Sequence, residues 1–125
     1  MTNYTTVTTP AIAKELISNA LVDINQNGGL KNVFCVACGG SKGCLYPMVY
    51  FLQQEASDIP AELITSNEFV HATPKSVCNQ SIVITMSLAG GTPETVEAAK
   101  IARNKGATVI ALCAEIEAPL AKAAS

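Results

Sequence analysis

Two short segments, each rich in glycine and hydroxyl side chains, are the parts of this sequence that could bind a phosphate group. Residues 38–43 have the sequence CGGSKG, and residues 87–92 have the sequence SLAGGT. Glycine lets the backbone approach a ligand closely, and serine and threonine hydroxyls can donate hydrogen bonds to phosphate oxygens. If each segment joins a strand to a helix, the free N–H groups at the two helix starts also favour a phosphate dianion.

Each segment also has a purely structural interpretation. Gly39 and Gly40 could serve only to turn the chain from a strand into a helix, and Thr92 could serve only as a helix N-cap. Nucleotide motifs do not fit, because Ser41 and Cys44 stand where G-x-G-x-x-G requires glycine, and the G-K-[ST] of a Walker motif is absent. The two segments together favour a small phosphorylated ligand over a dinucleotide or a nucleoside triphosphate.

Five cysteines are spread through apolar segments. An odd number in such positions is typical of reduced, buried thiols rather than of a disulfide framework. Cys35 and Cys38 form a C-x-x-C pair, which is a spacing found in metal and redox sites. Residues three apart on one strand point to opposite faces, so these two thiols could not share a metal ion or a bridge. We therefore expect no metal site here.

The one histidine, His71, follows Glu68 by three residues. At this spacing the two side chains would share a helical face and could carry out acid–base chemistry on a sugar. In a polar connector, the more common role of such residues is to be solvated or to cap an element. Lys42 also has two interpretations, since it could face a phosphate or simply lie exposed at a helix start.

Hydrophobic periodicity and turn residues divide the chain into alternating strands and helices. The predicted helices cover residues 11–27, 42–56, 92–105 and 119–124, with Pro47 expected near the first turn of the second helix. The predicted strands cover residues 33–37, 61–65, 81–87 and 107–113. Residues 66–74 are expected to be a polar connector with room for a helical turn.

This alternation predicts an α/β fold, in which a parallel sheet lies between two helical layers. If the strands at 33–37 and 81–87 are neighbours, both glycine-containing segments flank one crevice at the carboxyl ends of the strands, where open parallel sheets bind ligands. The sequence stops where a further strand is expected, so we expect a sheet without its last strand and a chain that is part of a longer protein.

Composition limits the classes of partner. The 125 residues suit one domain, and 49% of them are hydrophobic. Only 14% are charged, against roughly 25% in ordinary soluble domains, so we expect another chain or domain to cover part of the surface. The net charge of −2 gives no reason to expect nucleic acid. No apolar run approaches the roughly 20 residues that span a membrane, and residues 1–10, which we expect to be flexible, lack secretory-signal features. We therefore expect a cytoplasmic protein.

The motifs taken together resemble the sugar isomerase (SIS) family, over about residues 30 to 125. They are V-A-C-G-G-S, Y-P-x-x-x-F-L-x-x-E-A, S-N-E-F-x-x-x-T-P, S-x-x-G-x-T-P-E-T-V-E-A-A and G-A-T-V-I-A-L. The chain is most similar to fructosamine-phosphate deglycases, which in turn resemble the isomerase half of glucosamine-6-phosphate synthase. This resemblance implies a flavodoxin-like parallel sheet of five strands and a phosphosugar ligand, with no metal or organic cofactor.

The resemblance also implies roles for individual residues. The phosphate-binding hydroxyls of the family correspond to Ser41, Ser87 and Thr92, and the adjoining glycines are Gly39, Gly40 and Gly90. Many members have a further serine where this chain has Ala89, so we expect one donor fewer. The catalytic glutamate and histidine of these enzymes belong to a second lobe, and Glu68 and His71 occupy only the equivalent motif of the first lobe.

The resemblance therefore implies the N-terminal lobe of an enzyme that converts fructosamine 6-phosphates to glucose 6-phosphate and an amine. We expect such a lobe to pair with a second SIS lobe or to form a homodimer, and to have little or no activity alone. Two other interpretations stay open: a non-catalytic sugar-phosphate sensor of a regulator, and a bare oligomerisation domain.

Overall fold

The computed structural model describes residues 10–115 and 117–124. Five helices and four strands alternate along this part of the chain. The elements are α1 (Pro10–Gln26), β1 (Asn32–Ala37), α2 (Gly39–Glu55), β2 (Ala61–Thr65), α3 (Ser66–His71), β3 (Ser81–Met86), α4 (Pro93–Asn104), β4 (Thr108–Leu112) and α5 (Pro119–Ala123). The flexibility predicted for residues 1–10 falls on residues 1–9, which lie outside the described residues, and on Pro10, which begins α1.

The four strands form one parallel sheet in the order β2-β1-β3-β4. Strands β1 and β3 are in register along their full length, from Asn32 opposite Ser81 to Ala37 opposite Met86. The predicted parallel α/β sheet and the predicted neighbourhood of the first and third strands are therefore confirmed, and the order agrees with that of a flavodoxin-like sheet.

Helices cover both faces of the sheet, because the strand side chains alternate in direction and both sets are apolar. Val33, Cys35 and Ala37 of β1 lie in a cluster with residues of α1 and α2 on one face. Phe34 and Val36 lie in a second cluster with residues of α3 and α4 on the other face. The expected three-layer arrangement is thus present, with β1 buried along its whole length.

One predicted boundary, and with it the predicted place of Pro47, is wrong for an identifiable physical reason. Helix α2 begins at Gly39, three residues before the predicted start, because Gly39 adopts a left-handed φ of +53° that turns the strand directly into the helix. Pro47 consequently lies well inside α2 rather than near its first turn; its ring removes one hydrogen bond to the exposed Gly43. The connector after β2 contains a helix of six residues, α3, anchored by the fully buried Phe69.

No helix in the described ranges is long and apolar enough to span a membrane.

Hydrogen bonds of the Gly90 backbone join the loop after β3 to α5. The N–H of Gly90 donates to the carbonyl of Ser87 (3.0 Å), and its own carbonyl accepts from the N–H of Leu120 (2.9 Å). Its φ is +71°, and a Cβ added there would lie 2.3 Å from the Cβ of Ala118. Glycine is therefore required at this position by both conformation and space.

Gly90→Ala should lower the free energy of unfolding by at least about 2 kcal/mol, because a left-handed alanine and an overpacked contact each cost about 1–3 kcal/mol. Gly43→Ala is the matched control. Gly43 lies in α2 with no neighbouring atom within 4 Å of an added Cβ, so alanine should stabilise by about 0.5–1 kcal/mol. Urea unfolding of the two variants checks both signs, and a neutral Gly90→Ala would contradict the packing described.

Candidate phosphate-binding site

The crevice expected from the sequence lies where β1 and β3 end side by side. Strand β1 leads into α2 on one face of the sheet, and β3 leads into α4 on the opposite face. The two connections diverge from neighbouring strands, which is the arrangement that opens a ligand site in parallel sheets. Both helices begin at this edge, so their free N–H groups and positive dipole ends lie beside the same opening.

The second segment contributes two hydroxyls that are in contact with each other. The Oγ of Ser87 and the Oγ1 of Thr92 are 2.9 Å apart, and Ser87 is buried while Thr92 is partly exposed. Thr92 occupies the N-cap position of α4 and Pro93 follows as the first helical residue, as the sequence predicts. The hydroxyl of Thr92, however, makes no capping hydrogen bond. The side chain of Thr92 therefore accepts no hydrogen bond from the backbone N–H groups in the first turn of α4.

The first segment is more open. Cys38 is the N-cap residue of α2 and makes no side-chain capping bond. Ser41 is partly exposed, and its hydroxyl has no hydrogen-bond partner among the residues that the structure describes. A Cβ added at Gly39 or Gly40 would meet nothing within 4 Å, and Gly40 does not have a positive φ. Packing within the chain thus gives no reason for glycine at position 40, and the backbone there has open space beside it.

Behind these segments lie two further polar contacts, one buried and one partly buried, that the sequence did not predict. The Oγ of Ser66 and the Oγ1 of Thr95 are 2.8 Å apart, and both residues are fully buried. The Nζ of Lys42 donates to the Oγ1 of Thr65 (2.9 Å). Lys42 is therefore only partly exposed, and it pairs with no carboxylate among the residues that the structure describes. These residues are distant in the sequence, and the fold brings them together.

The structure gives no support for a catalytic pair on α3. Glu68 lies in its first turn and His71 in its last, and both are exposed. No ion pair joins these two side chains within the described ranges, and no hydrogen bond there links them to Ser41, Ser87 or Thr92. Their carboxylate and imidazole are solvated at this edge, which agrees with the more common of the two roles expected from the sequence.

The C-x-x-C pair is divided between the two faces of the sheet, as expected. Cys35 is fully buried on the α1/α2 side, whereas the Sγ of Cys38 lies 3.9 Å from the Oγ1 of Thr95 in α4. Both thiols are free. Burial raises the pKa of the Cys35 thiol from 9.0 to about 11, so it stays protonated at neutral pH. Within the described residues, no group of three or more His, Cys, Asp or Glu side chains is placed to hold a metal ion.

Two other concave surfaces lie away from this edge. One, of about 440 Å³, is lined by Lys100, Arg103 and Lys122 between α4 and α5, and it is the obvious competing place for an anion. Glu117 lies 3.5 Å from the ammonium of Lys122, and both side chains are exposed. The other, of about 340 Å³, is entirely apolar and lies between α1 and α2 over the sheet.

Comparison with known proteins gives one family. A model of the SIS domain matches residues 30–125. Fructosamine deglycase FrlB of Bacillus subtilis (strain 168) is 44% identical over 95 residues, which are 76% of this chain and 29% of that protein. Glutamine–fructose-6-phosphate aminotransferase [isomerizing] of Chlorobaculum tepidum is 32% identical over 83 residues, which are 66% of this chain and 13% of that protein.

The fold is also shared with solved structures. A candidate phosphosugar isomerase from Salmonella typhimurium LT2 superposes with a TM-score of 0.75 at 44% sequence identity, over 86% of this chain and 33% of that one. The chain spans less than a third of the length of the curated relatives it matches.

The buried Cys35 thiol should make stability depend on alkaline pH. Below pH 9 its contribution is fully present; between pH 9 and 11 the unfolded chain loses the thiol proton while the folded chain keeps it, so the free energy of unfolding falls by about 2 kcal/mol. Cys35→Ala should remove this part of the fall, whereas Cys44→Ala, at an exposed position, should retain it. Urea unfolding at a series of pH values measures the difference. Equal pH dependence in Cys35→Ala and the unsubstituted chain would contradict this assignment.

Proposed function

The chain belongs to the SIS domain family, and from that membership we propose that its β1/β3 crevice binds the phosphate group of a phosphorylated sugar. The proposed donors are the hydroxyls of Ser41, Ser87 and Thr92 and the backbone N–H groups at the starts of α2 and α4. Gly39, Gly40 and Gly90 keep the two loops close to the ligand. Neutral donors and two helix dipoles at one opening suit a dianion without a cluster of cationic side chains.

One observation carries this proposal. Two neighbouring strands send their helices to opposite faces, and the segments between them place unpaired or mutually paired hydroxyls at the opening. The Ser87–Thr92 contact is informative because each hydroxyl can rotate to donate to a third group. Thr92 makes no capping bond to its own helix, which argues against a purely structural role for that hydroxyl.

The finer proposal is that this chain is the N-terminal lobe of a deglycase that converts a fructosamine 6-phosphate to glucose 6-phosphate and an amine. Its support is the similarity to FrlB, whose name gives fructosamine deglycase activity. Such a reaction moves a proton from C1 to C2 of the ring-opened sugar, which requires a positioned carboxylate base, and water then hydrolyses the resulting C1 imine to give the C1 aldehyde and the free amine. Because Glu68 and His71 are exposed and unsupported, we assign that base to a second lobe and none of the chemistry to this chain.

The second lobe, or a second copy of this chain, is proposed to cover the α1/α2 face. Of the eight large hydrophobic side chains exposed in the described residues, six lie on these two helices: Ile17, Val22, Tyr46, Met48, Tyr50 and Phe51. Residues 43–54 of α2 carry no charge, and the apolar groove of about 340 Å³ opens on the same face. Ile17, Met48 and Phe51 also line this groove, and exposed apolar surface of this kind marks a contact with another protein surface. We also propose that the protein is located in the cytoplasm.

Loss of a hydroxyl should weaken sugar-phosphate binding. Ser41→Ala, Ser87→Ala and Thr92→Val should each raise the Kd for fructose 6-phosphate roughly 10- to 100-fold, since hydrogen bonds to charged groups contribute about 1.5–3 kcal/mol. Isothermal titration calorimetry measures the change, with unphosphorylated fructose as the ligand control and Ser57→Ala, in an exposed turn, as the protein control. If fructose 6-phosphate binds to none of the proteins, or binds to all of them equally, this site is not its binding site.

The chain alone should form little or no glucose 6-phosphate from a fructosamine 6-phosphate that it binds. The reason is that neither carboxylate nor imidazole on α3 is held at the crevice. Product can be followed by an enzymatic assay for glucose 6-phosphate on the same sample that shows binding. If the chain alone shows turnover and Glu68→Gln or His71→Asn abolishes it, the assignment of the catalytic base to a second lobe is contradicted and catalysis belongs to α3. A non-catalytic sensor would also bind the sugar phosphate without turnover. Turnover that appears when a second lobe is added would distinguish the lobe of an enzyme from a sensor.

A further inference from the structure

Thr95 is the point at which three helix starts meet. It is the third residue of α4 and is fully buried. Its Oγ1 lies 2.8 Å from the Oγ of Ser66, the first residue of α3, and 3.9 Å from the Sγ of Cys38, the N-cap residue of α2. One hydroxyl thus contacts the beginnings of all three helices that start near the carboxyl ends of β1, β2 and β3.

Core packing does not explain a hydroxyl at this position. The buried side chains that follow on α4 are those of Ala98, Ala99 and Ala102, which contribute only apolar surface to the core. Valine has the shape of threonine and would fill the same space without the cost of burying a polar group. Replacing both partners of a buried hydrogen bond by apolar groups is often nearly neutral, so the Ser66–Thr95 pair is not needed for stability as such. A hydrogen bond does differ from apolar contact in fixing distance and direction.

A second contact holds the same helix start from the other side. Thr65, which precedes Ser66, accepts a hydrogen bond from the ammonium of Lys42 in the first turns of α2 (2.9 Å). Thr65, the N-cap residue of α3, is therefore hydrogen-bonded to α2, and Ser66, the first residue of α3, is hydrogen-bonded to α4. The starts of α2 and α4 are linked through α3 as well as directly through the contact between Thr95 and Cys38.

We propose that Thr95 is a positioning residue, which fixes the start of α2 relative to the start of α4 so that both face one phosphate group. The proposal rests on the phosphate site proposed above. A ligand held by two helix starts is bound well only when their donors keep a spacing within about 0.5 Å. Thr95 does not touch the ligand; it sets the distance between the groups that do.

The test compares Thr95→Val, which keeps the shape and removes the hydroxyl, with Thr95→Ser, which keeps the hydroxyl. Thr95→Val should raise the Kd for fructose 6-phosphate about tenfold, and Thr95→Ser should stay within about threefold of the unsubstituted chain. Ser66→Ala breaks the same bond from its other end and provides the second route if Thr95→Val does not fold. Ser81→Ala is the control, since Ser81 is equally buried but its hydroxyl bonds Asn32 at the opposite end of the sheet.

Amide hydrogen exchange gives a readout that needs no ligand. Thr95→Val should speed exchange at residues 42–45 of α2 and 70–72 of α3, whose amides close the first turns of these helices, whereas Ser81→Ala should leave both segments unchanged. Faster exchange together with the raised Kd supports the proposal. Faster exchange in a chain that binds no sugar phosphate supports the link between the helix starts and overturns the phosphate site. Unchanged exchange at residues 42–45, or a Kd that changes equally in Thr95→Val and Ser81→Ala, overturns the positioning role.

Discussion

The structure depends on one constraint: β1 and β3 are neighbours in a parallel sheet, yet the helices that follow them pack on opposite faces. Parallel strands all end at the same edge, so the divergence of α2 and α4 leaves an opening that neither helix can cover. The same constraint explains the apolar character of β1, which must bury both sets of alternating side chains. It also agrees with the glycine and hydroxyl residues that stand in both segments at that edge.

Most of the hydrogen-bond donors at the carboxyl ends of the strands are neutral groups. Ser87 and Thr92 share one hydrogen bond, Ser66 and Thr95 share another deeper in the fold, and the ammonium of Lys42 donates to Thr65. Such an arrangement favours an anion through oriented N–H and O–H groups, whose geometry is set before the ligand arrives. It contrasts with the exposed Lys100–Arg103–Lys122 surface, which offers charge on long, flexible side chains but no buried hydroxyl beside it.

Elements fixed by local patterns were predictable, and features fixed by tertiary contact were not. Continuous apolar runs gave the four strands, and the sequence Thr92-Pro93 gave the start of α4. The start of α2 was missed because Gly39 was assigned to a loop, although its left-handed φ lets it open the helix. Helix α3 was expected only as a helical turn within a polar connector, because six residues have too little periodicity to predict its bounds; the buried Phe69 anchors it. Ser41, Ser87 and Thr92 could be placed at strand ends from the sequence, and their binding role stays a prediction, whereas Thr95 looks like an ordinary helix residue until Cys38 and Ser66 are seen beside it.

The central claim is that a sugar phosphate is held between the starts of α2 and α4, and mapping amide chemical shifts while fructose 6-phosphate is added tests it most directly. The account predicts that the largest changes fall on residues 39–41 and 87–95, that they saturate, and that unphosphorylated fructose does not reproduce them. Saturating changes centred instead on Lys100, Arg103 and Lys122, with residues 39–41 and 87–95 unmoved, would contradict it.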